Sequence, residues 1–363
     1  MKKICFFVGD MNHSGGTERV STLILNELHQ AEFEVHVVNL AGGEKPFFPL
    51  ADGVHSTCLG NVQGGGIKAF SASVANLRRY LKKHSIDTLI AVESMLTLYA
   101  VPASTFLDLK LIVWEHFNFH VDLGKRVRRI ARQIAALTAD TVVTLTERDK
   151  MFWQSESWCR ANIMAIANPV PFTVSEHQPE PANKTFLAVG RLTYQKGFDL
   201  LLAAWKPVTE QHPDWTLQIV GSGEDDQSLT QLVTDLDLAR SVQLVPATPD
   251  VQAYYKKAVY YVMSSRFEGL PMVLLEALSF GLPIVSFDCD TGPSDIVVPG
   301  KNGWLCKADS VSSLTSGMIS AIEASDVEHV YASYSSEAKA KCGEFYLDAI
   351  MKKWIGLIDD NVC

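Results

Sequence analysis

Short apolar runs that suit buried strands alternate along this chain with segments of helical periodicity, and the alternation begins twice. The first series opens with a strand at 4–8 and a helix at 17–28, and it continues to a strand at 141–145. The second series follows Asn168-Pro169 and opens with a strand at 185–189. Because strands that alternate with helices form parallel sheets covered on both faces, the pattern predicts an α/β protein of two Rossmann-like, doubly wound domains in tandem.

The chain length agrees with two domains of ordinary size, since 363 residues is about twice the size of a common domain. We expect an N-terminal domain at 1–168, a C-terminal domain at 169–343 and a C-terminal helix within 344–363 that could pack back on the N-terminal domain. Doubly wound sheets bind their ligands at the carboxyl ends of the strands. The sequence therefore predicts a site in a cleft between the two domains.

Charge and cysteine content exclude several classes of protein. The net charge is −9, which argues against binding to nucleic acid. The seven cysteines are scattered and never stand in a C-x-x-C spacing, as expected of reduced thiols rather than of a disulfide framework or a cysteine-bound zinc ion. No stretch of about 18 apolar residues occurs, so the sequence predicts a cytoplasmic protein without a membrane span.

The segment from Glu268 to Glu276 is the strongest candidate for a site. Glu268 follows a predicted strand, and Pro271 stands where a helix is expected to begin, a position that suits proline. Backbone N–H groups at such a helix start can bind an anion. Glu276 lies among apolar residues and needs polar partners there, which a ligand rich in hydroxyl groups would supply. The alternative is a capping carboxylate together with an ion pair in the core.

Two further segments follow predicted strands. Arg191 and Lys196 are cations on a loop bounded by Gly190 and Gly197, and this loop suits a diphosphate. Gly15-Gly16 follows the first strand, where paired glycines let the backbone approach a phosphate closely. Neither segment has the G-x-G-x-x-G spacing of a dinucleotide site. The alternatives are solvated surface charge and ordinary loop glycines.

His116 follows another predicted strand of the first domain and would face the expected cleft, unless it is a structural histidine. Asp288-Cys289-Asp290 matches the D-x-D pattern of metal-binding sugar transferases. No histidine or third carboxylate stands beside it, so we predict no metal site.

A basic stretch in the first domain has cations between apolar residues at helical spacing. Basic amphipathic helices of this kind bind membrane surfaces, and the alternative is a solvated helix face. The predicted contacts with an anionic membrane are Lys125, Arg126, Arg128, Arg129 and Arg132.

Taken together, these segments resemble the GT-B glycosyltransferases, specifically the retaining family 4, over essentially the whole chain. The most specific match is the E-x7-E motif from Glu268 to Glu276 in the setting S-x-x-E-G-x-P-x-x-x-x-E-A. Other matches are the donor-phosphate pair Arg191 and Lys196, the N-terminal pair Gly15-Gly16 and the domain-ending Asn168-Pro169. The sequence departs from the family at Asp295, where a glutamate is usual, and at Ala247, where a glycine is common.

The resemblance implies a role for each matching residue. Glu276 would bind the ribose hydroxyls of the nucleotide, and Glu268 would hold the hydroxyls of the donor sugar. Arg191 and Lys196 would neutralise the diphosphate, and His116 would lie near the transferred sugar. The backbone that would contact donor sugar and phosphate belongs to Gly269, Leu270, Pro271 and Met272.

The activity that the resemblance implies is a retaining, metal-independent hexosyl transfer without a cofactor. The donor would be a nucleotide sugar, with UDP preferred, carrying a hexose or N-acetylhexosamine. The acceptor would be a lipid-linked glycan of a bacterial surface polysaccharide (O-antigen, capsule or lipopolysaccharide), at the inner face of the cytoplasmic membrane. The alternative is a non-catalytic module that keeps the fold and binds a nucleotide or a glycan.

Overall fold

The computed structural model describes residues 1–60, 67–172 and 177–359. Its contacts divide the chain into two compact units. The first unit comprises Met1–Asn168 together with the chain from Asp348 onward, and the second unit comprises Pro169–Leu347.

The described part of the first unit contains a seven-stranded parallel sheet in the order β3-β2-β1-β4-β5-β6-β7. Its strands are β1 (Lys3–Val8), β2 (Glu34–Asn39), β3 (His55–Cys58), β4 (Thr88–Val92), β5 (Lys110–Trp114), β6 (Thr141–Thr144) and β7 (Asn162–Ala165). Its helices up to Asn168 are α1 (Gly16–Gln30), α2 (Ile67–His84), α3 (Thr97–Ser104), α4 (Arg126–Thr138) and α5 (Glu147–Glu156), with a 3₁₀ turn at Ser94–Leu96.

The described part of the second unit contains a six-stranded parallel sheet in the order β10-β9-β8-β11-β12-β13. Its strands are β8 (Thr185–Val189), β9 (Thr216–Val220), β10 (Val242–Val245), β11 (Tyr260–Met263), β12 (Ile284–Asp288) and β13 (Gly303–Lys307). Its helices are α6 (Phe198–Gln211), α7 (Asp226–Asp235), α8 (Gln252–Lys257), α9 (Met272–Ser279), α10 (Pro293–Ile296), α11 (Val311–Ser325) and α12 (Glu328–Cys342), with 3₁₀ turns at Pro181–Asn183, Tyr194–Lys196 and Gly343–Phe345.

Central strands in both sheets are apolar on both faces because helices cover both faces. In β1, the five residues from Ile4 to Val8 are all buried. In the second unit, Phe186 of β8 packs against the rings of Trp205 and Tyr260, with centroids 5.6 and 5.1 Å away. The two doubly wound parallel sheets confirm the fold class that the alternation predicts.

The last helix, α13 (Leu347–Ile358), packs on the first unit. The indole of Trp354 meets that of Trp114 edge to face, with 4.8 Å between ring centroids. The Lys110 side chain donates to the carbonyl of Leu357 over 2.8 Å. The segment at 344–363 is thus divided, because 344–347 belongs to the second unit, and 360–363 falls outside the described residues. None of the helices described here is long and apolar enough to cross a bilayer.

Candidate functional site

The loops that follow β8 and β9 pack directly on each other at the carboxyl edge of the second sheet. A Cβ atom on Gly221 would lie 1.8 Å from the carbonyl oxygen of Gly190, so a larger residue at Gly221 cannot be accommodated without moving the backbone. The Gly221 N–H donates to Val245, and the Gly190 N–H donates to Val220. Glycine is therefore required at position 221 if the loop that carries Arg191 and Lys196 is to pack in this position.

Lys196 and Glu268 form an ion pair at that edge. The Lys196 ammonium lies 2.6 Å from the Glu268 carboxylate, and the side chains are 18% and 8% exposed. The lysine ends a 3₁₀ turn after β8, and the glutamate lies on the loop after β11. The structure therefore brings together two side chains that the sequence analysis assigned separately, to the diphosphate and to the donor sugar.

Arg266 and Gln195 fix the geometry of this pair. The Arg266 guanidinium donates two hydrogen bonds to Asp199, of 2.9 and 2.7 Å, and one of 2.7 Å to the carbonyl of Tyr194. It also lies over the Tyr194 ring, 4.1 Å from the centroid. The Gln195 side chain donates to the carbonyl of Phe267 over 3.1 Å. These contacts tie the turn of Lys196 to the loop of Glu268.

Glu276 is a buried carboxylate on α9 that accepts a hydrogen bond from Tyr255. The tyrosine hydroxyl lies 2.8 Å from the Glu276 carboxylate. Burial and the neighbouring Glu276 carboxylate raise the pKa of Tyr255 well above its ordinary value, so the hydroxyl keeps its proton and remains a donor. Nothing in the sequence pointed to Tyr255, because it lies 21 residues away on a different helix.

The residues that follow β12 pack against the loop between Glu268 and α9 and hold it in place. Thr291 donates to the carbonyl of Glu268 over 2.6 Å. Gly292 has φ +97°, and a Cβ there would lie 2.4 Å from the Pro271 ring and 2.8 Å from the Gly269 carbonyl oxygen. Pro271 is the residue before the helix, and Met272 is the first helical residue, which shifts the predicted helix start by one position. The segment that includes Gly269 and the buried Leu270 is thereby held in place.

Arg191 lies on the same loop as Lys196, with an exposed side chain. Its charge is accessible to a ligand at the carboxyl edge of the second sheet, whereas the Lys196 charge is already engaged by Glu268.

The remaining predicted residues lie at the carboxyl ends of strands in the first unit. Gly15 precedes α1 in an extended conformation, and Gly16 is the first helical residue, with open space where a Cβ would stand. His116 follows β5 and packs on Trp114, with ring centroids 4.4 Å apart. Burial lowers the pKa of His116 to about 3, so the ring is neutral at physiological pH. Its Nε2 is closed off from solvent and has no hydrogen-bond partner among the described residues.

The prediction that Arg128 and Arg132 contact a membrane is wrong. Arg132 is 1% exposed, and it donates to the carbonyls of Phe119 and Val121 over 2.6 and 2.5 Å. Arg128 is 9% exposed and lies over the Phe117 ring, 4.4 Å from the centroid. Residues four apart share one face of a helix, and here that face packs inward.

The other three cations of the stretch are on the solvent side of the first unit. Lys125, Arg126 and Arg129 are exposed, as are the apolar residues Val127 and Ile130. A basic and apolar surface therefore exists on α4, but it is smaller than the sequence predicted.

Two family models match this chain, one in each half. The family model described as Glycosyl transferases group 1 matches residues 171–338. The model described as Glycosyltransferase Family 4 matches residues 14–174.

Three relatives are similar over 99% of this chain. An uncharacterized glycosyltransferase of Haemophilus influenzae is 35% identical, with its whole length covered. The amylovoran biosynthesis glycosyltransferase AmsD of Erwinia amylovora is 29% identical, also over its whole length. An α-1,4-N-acetyl-D-galactosaminyltransferase of Campylobacter jejuni, whose name gives an undecaprenol-diphosphate-linked acceptor, is 26% identical over 98% of its length.

Solved structures share the fold. The lipopolysaccharide outer core galactosyltransferase WaaB, in its apo form, has a TM-score of 0.81 at 22% identity, over 98% of this chain and 99% of that one. Alr3699/HepE of Anabaena, solved in complex with UDP, has a TM-score of 0.80 at 18% identity, over 99% of both chains.

Proposed function

The chain belongs to the GT-B glycosyltransferases of family 4, and on that premise we propose that it moves a hexose or N-acetylhexosamine from a UDP-sugar to a lipid-linked glycan acceptor. The product would be part of a bacterial surface polysaccharide. The observation that carries the proposal is the 2.6 Å contact of Lys196 with Glu268, on a loop that leads into α9 and Glu276. The relative named for amylovoran biosynthesis and the neighbour solved with UDP support the polymer and the donor proposed here.

In this proposal the cations of the second unit stabilise the leaving group. When the bond between the sugar and the diphosphate breaks, negative charge develops on the diphosphate and positive charge on the sugar ring. Fixed positive groups near the departing oxygen lower the energy of that separation. Lys196, the exposed Arg191 and the backbone N–H groups at the start of α9 supply such groups. Because these groups carry the charge, we propose transfer without a divalent metal or another cofactor.

The two carboxylates would recognise the two ends of the donor. Glu268 would accept hydrogen bonds from the sugar hydroxyls at the position where Lys196 holds it. Glu276 would accept hydrogen bonds from the ribose while Tyr255 orients it. Charge-assisted hydrogen bonds of this kind are worth about 1.5–3 kcal/mol each.

We further propose that the transfer retains the anomeric configuration. The acceptor hydroxyl would attack the sugar carbon from the face that the diphosphate leaves, its oxygen forming the new bond while its proton passes to a phosphate oxygen. No protein base is needed in this scheme, and His116, with a pKa of about 3, is too weak a base to serve as one at neutral pH.

The proposed activity is tested by incubating the protein with a panel of UDP-sugars and lipid-linked acceptors and measuring the UDP that is released. We expect Glu276→Gln to raise the KM for the UDP-sugar about 10- to 100-fold, since it removes charge-assisted hydrogen bonds worth about 1.5–3 kcal/mol. Glu328→Gln, on an exposed position of α12, serves as the matched control and should leave the KM unchanged. UDP binding without turnover on any donor would instead favour the non-catalytic module.

The exposed surface of α4 leads to a separate proposal, that the first unit binds an anionic membrane from the cytoplasmic side. Replacing Lys125, Arg126 and Arg129 with alanine is expected to weaken binding to phosphatidylglycerol vesicles about 100-fold at low salt, since each cation contributes about 1 kcal/mol. The measurement is vesicle sedimentation at low and high salt. Alanine at the exposed Lys256 and Lys257 of the second unit is the control for loss of charge. Equal binding by both variants would exclude this surface.

A further inference from the structure

A carboxylate and two imidazoles lie together at the amino ends of β2 and β3 in the first sheet. Glu34 and His36 are two residues apart on β2, so both side chains project from the same face of the sheet. His55 is the register partner of His36 on the neighbouring strand. All strands of this sheet are parallel, so the amino ends of β2 and β3 lie at the opposite end of the strands from Gly15 and His116, which follow carboxyl ends.

The three side chains lie close enough to share one ion. One candidate ligand atom from each of Glu34, His36 and His55 lies within 4.8 Å of the other two. Nε2 of His36 is 3.1 Å from the Glu34 carboxylate, and the rings of His36 and His55 have centroids 4.9 Å apart. His36 is buried, Glu34 is half-buried and His55 is exposed, so the group opens to solvent on one side.

Residues of α2 orient the buried imidazole. The Tyr80 hydroxyl lies 2.8 Å from Nδ1 of His36, leaving Nε2 directed toward Glu34. The ring of His84 stacks on Tyr80 at 4.3 Å and lies 5.1 Å from His36. A second-shell hydrogen bond to the remote nitrogen is the usual support of a metal-binding histidine.

Lys3 is the competing partner in this cluster. Its ammonium lies 3.3 Å from the Glu34 carboxylate, with both side chains about a quarter to a third exposed. An ion pair so accessible to water contributes about 0–1 kcal/mol, and a divalent cation can displace it.

We propose that Glu34, His36 and His55 bind a divalent transition metal ion, best satisfied by Zn²⁺, with the remaining coordination position left to water. Imidazole and carboxylate are the ligands that Zn²⁺ accepts at about 2.0–2.2 Å. Nε2 of His36 and the Glu34 carboxylate are 3.1 Å apart, and the exposed His55 would complete the site by rotating its side chain toward a shared ion. In the metal-bound form His36 would carry its ring proton on Nδ1 and donate it to the Tyr80 hydroxyl oxygen, which leaves the Nε2 lone pair for the metal.

The metal would link β3, which is an edge strand of four residues, to β2. Its effect is expected on the stability of the first unit rather than on sugar transfer, because the carboxyl edge of the sheet is remote from it. The proposal is therefore independent of the proposed function.

Calorimetric titration of tag-free, chelator-treated full-length protein with Zn²⁺ tests the site. We expect one equivalent to bind, and His55→Ala to weaken binding by more than about 10-fold. Tyr80→Phe should weaken it by about 10- to 100-fold, the usual cost of losing a second-shell partner. His329→Ala, another exposed histidine, is the control and should bind as the parent does.

Two further measurements separate ligation from indirect effects. Zn²⁺ should raise the thermal midpoint of the parent protein but not that of His55→Ala, which is expected to fold normally because His55 is exposed. Co²⁺ should give the visible spectrum of a nitrogen and oxygen site. Binding that is equal in His55→Ala and the parent, or a cobalt spectrum dominated by thiolate charge transfer, would overturn the proposal.

Discussion

Lys196→Ala is expected to lower kcat/KM for the nucleotide sugar by about 10²–10³-fold, the effect of removing one positioned group that stabilises a leaving anion. The loss has two physical sources. The developing charge on the diphosphate loses one of the fixed cations proposed to stabilise it. Glu268, only 8% exposed, also loses the ammonium that now lies 2.6 Å from its carboxylate. The remaining side-chain contact, from the Gln195 amide at 3.5 Å, holds the carboxylate less firmly, so it orients the sugar less well.

Further variants distinguish these two sources in steady-state kinetics. Lys196→Arg keeps the charge, so it should retain more activity than Lys196→Ala. Glu268→Gln leaves the cation in place, and its effect combined with that of Lys196→Ala should be smaller than the product of the single effects, because the two groups act as a pair. Lys206→Ala, at a surface ion pair with Glu210 on α6, is the matched control. Unchanged kcat/KM in Lys196→Ala would remove the basis of the proposed function.

The sequence predicted the central strands well because their physical signal is local. Strands covered on both faces are continuous apolar runs, and β1, β4 and β8 all have this character. The edge strand β3 reads His-Ser-Thr-Cys and is half exposed, so no apolar run marks it. The cluster of Glu34, His36 and His55 was missed for the same reason, since it exists only once β3 pairs with β2.

The site was predicted as separate residues but not as an arrangement. Glu268, Glu276 and Lys196 are visible in the sequence because each stands in a motif. Lys196 and Glu268 are 72 residues apart, and their contact depends on β8 lying beside β11 in the sheet. Tyr255 and the bidentate Arg266–Asp199 contact were missed because such partners come from different elements and carry no local pattern.

Helical spacing in α4 identified a charged face but not the direction in which it points. Arginine has a long stem and a delocalised charge, so it can be buried where carbonyls and a carboxylate surround it. Glu115 provides that carboxylate at the end of β5, 3.6 Å from Arg132, and both side chains are almost fully buried. The partner lies 17 positions away on another element, and the sequence alone does not connect the two.

Arg132→Ala is accordingly expected to destabilise the first unit by about 3–5 kcal/mol, the cost of breaking a buried ion pair by removing one partner. The Glu115 carboxylate is left buried without its cation, and the carbonyls of Phe119 and Val121 lose their donors. Thermal and urea unfolding measure the loss. Arg129→Ala removes the same charge from an exposed pair with Asp122 and should cost about 0–1 kcal/mol.

The pH dependence of the stability lost in Arg132→Ala provides an independent check, because Arg132 affects the ionisation of Asp149. Burial raises the pKa of Asp149 to about 7, while the charge of Arg132 lowers it. A carboxyl group whose folded pKa exceeds its unfolded value stabilises the fold at low pH, and this stabilisation is lost as the pH rises from about 4 to 7. Without Arg132 the ionised form of Asp149 becomes less favourable still, so the deficit of Arg132→Ala should be larger at pH 8 than at pH 5. An equal and small deficit for Arg129→Ala and Arg132→Ala at both pH values would show that Arg132 faces solvent.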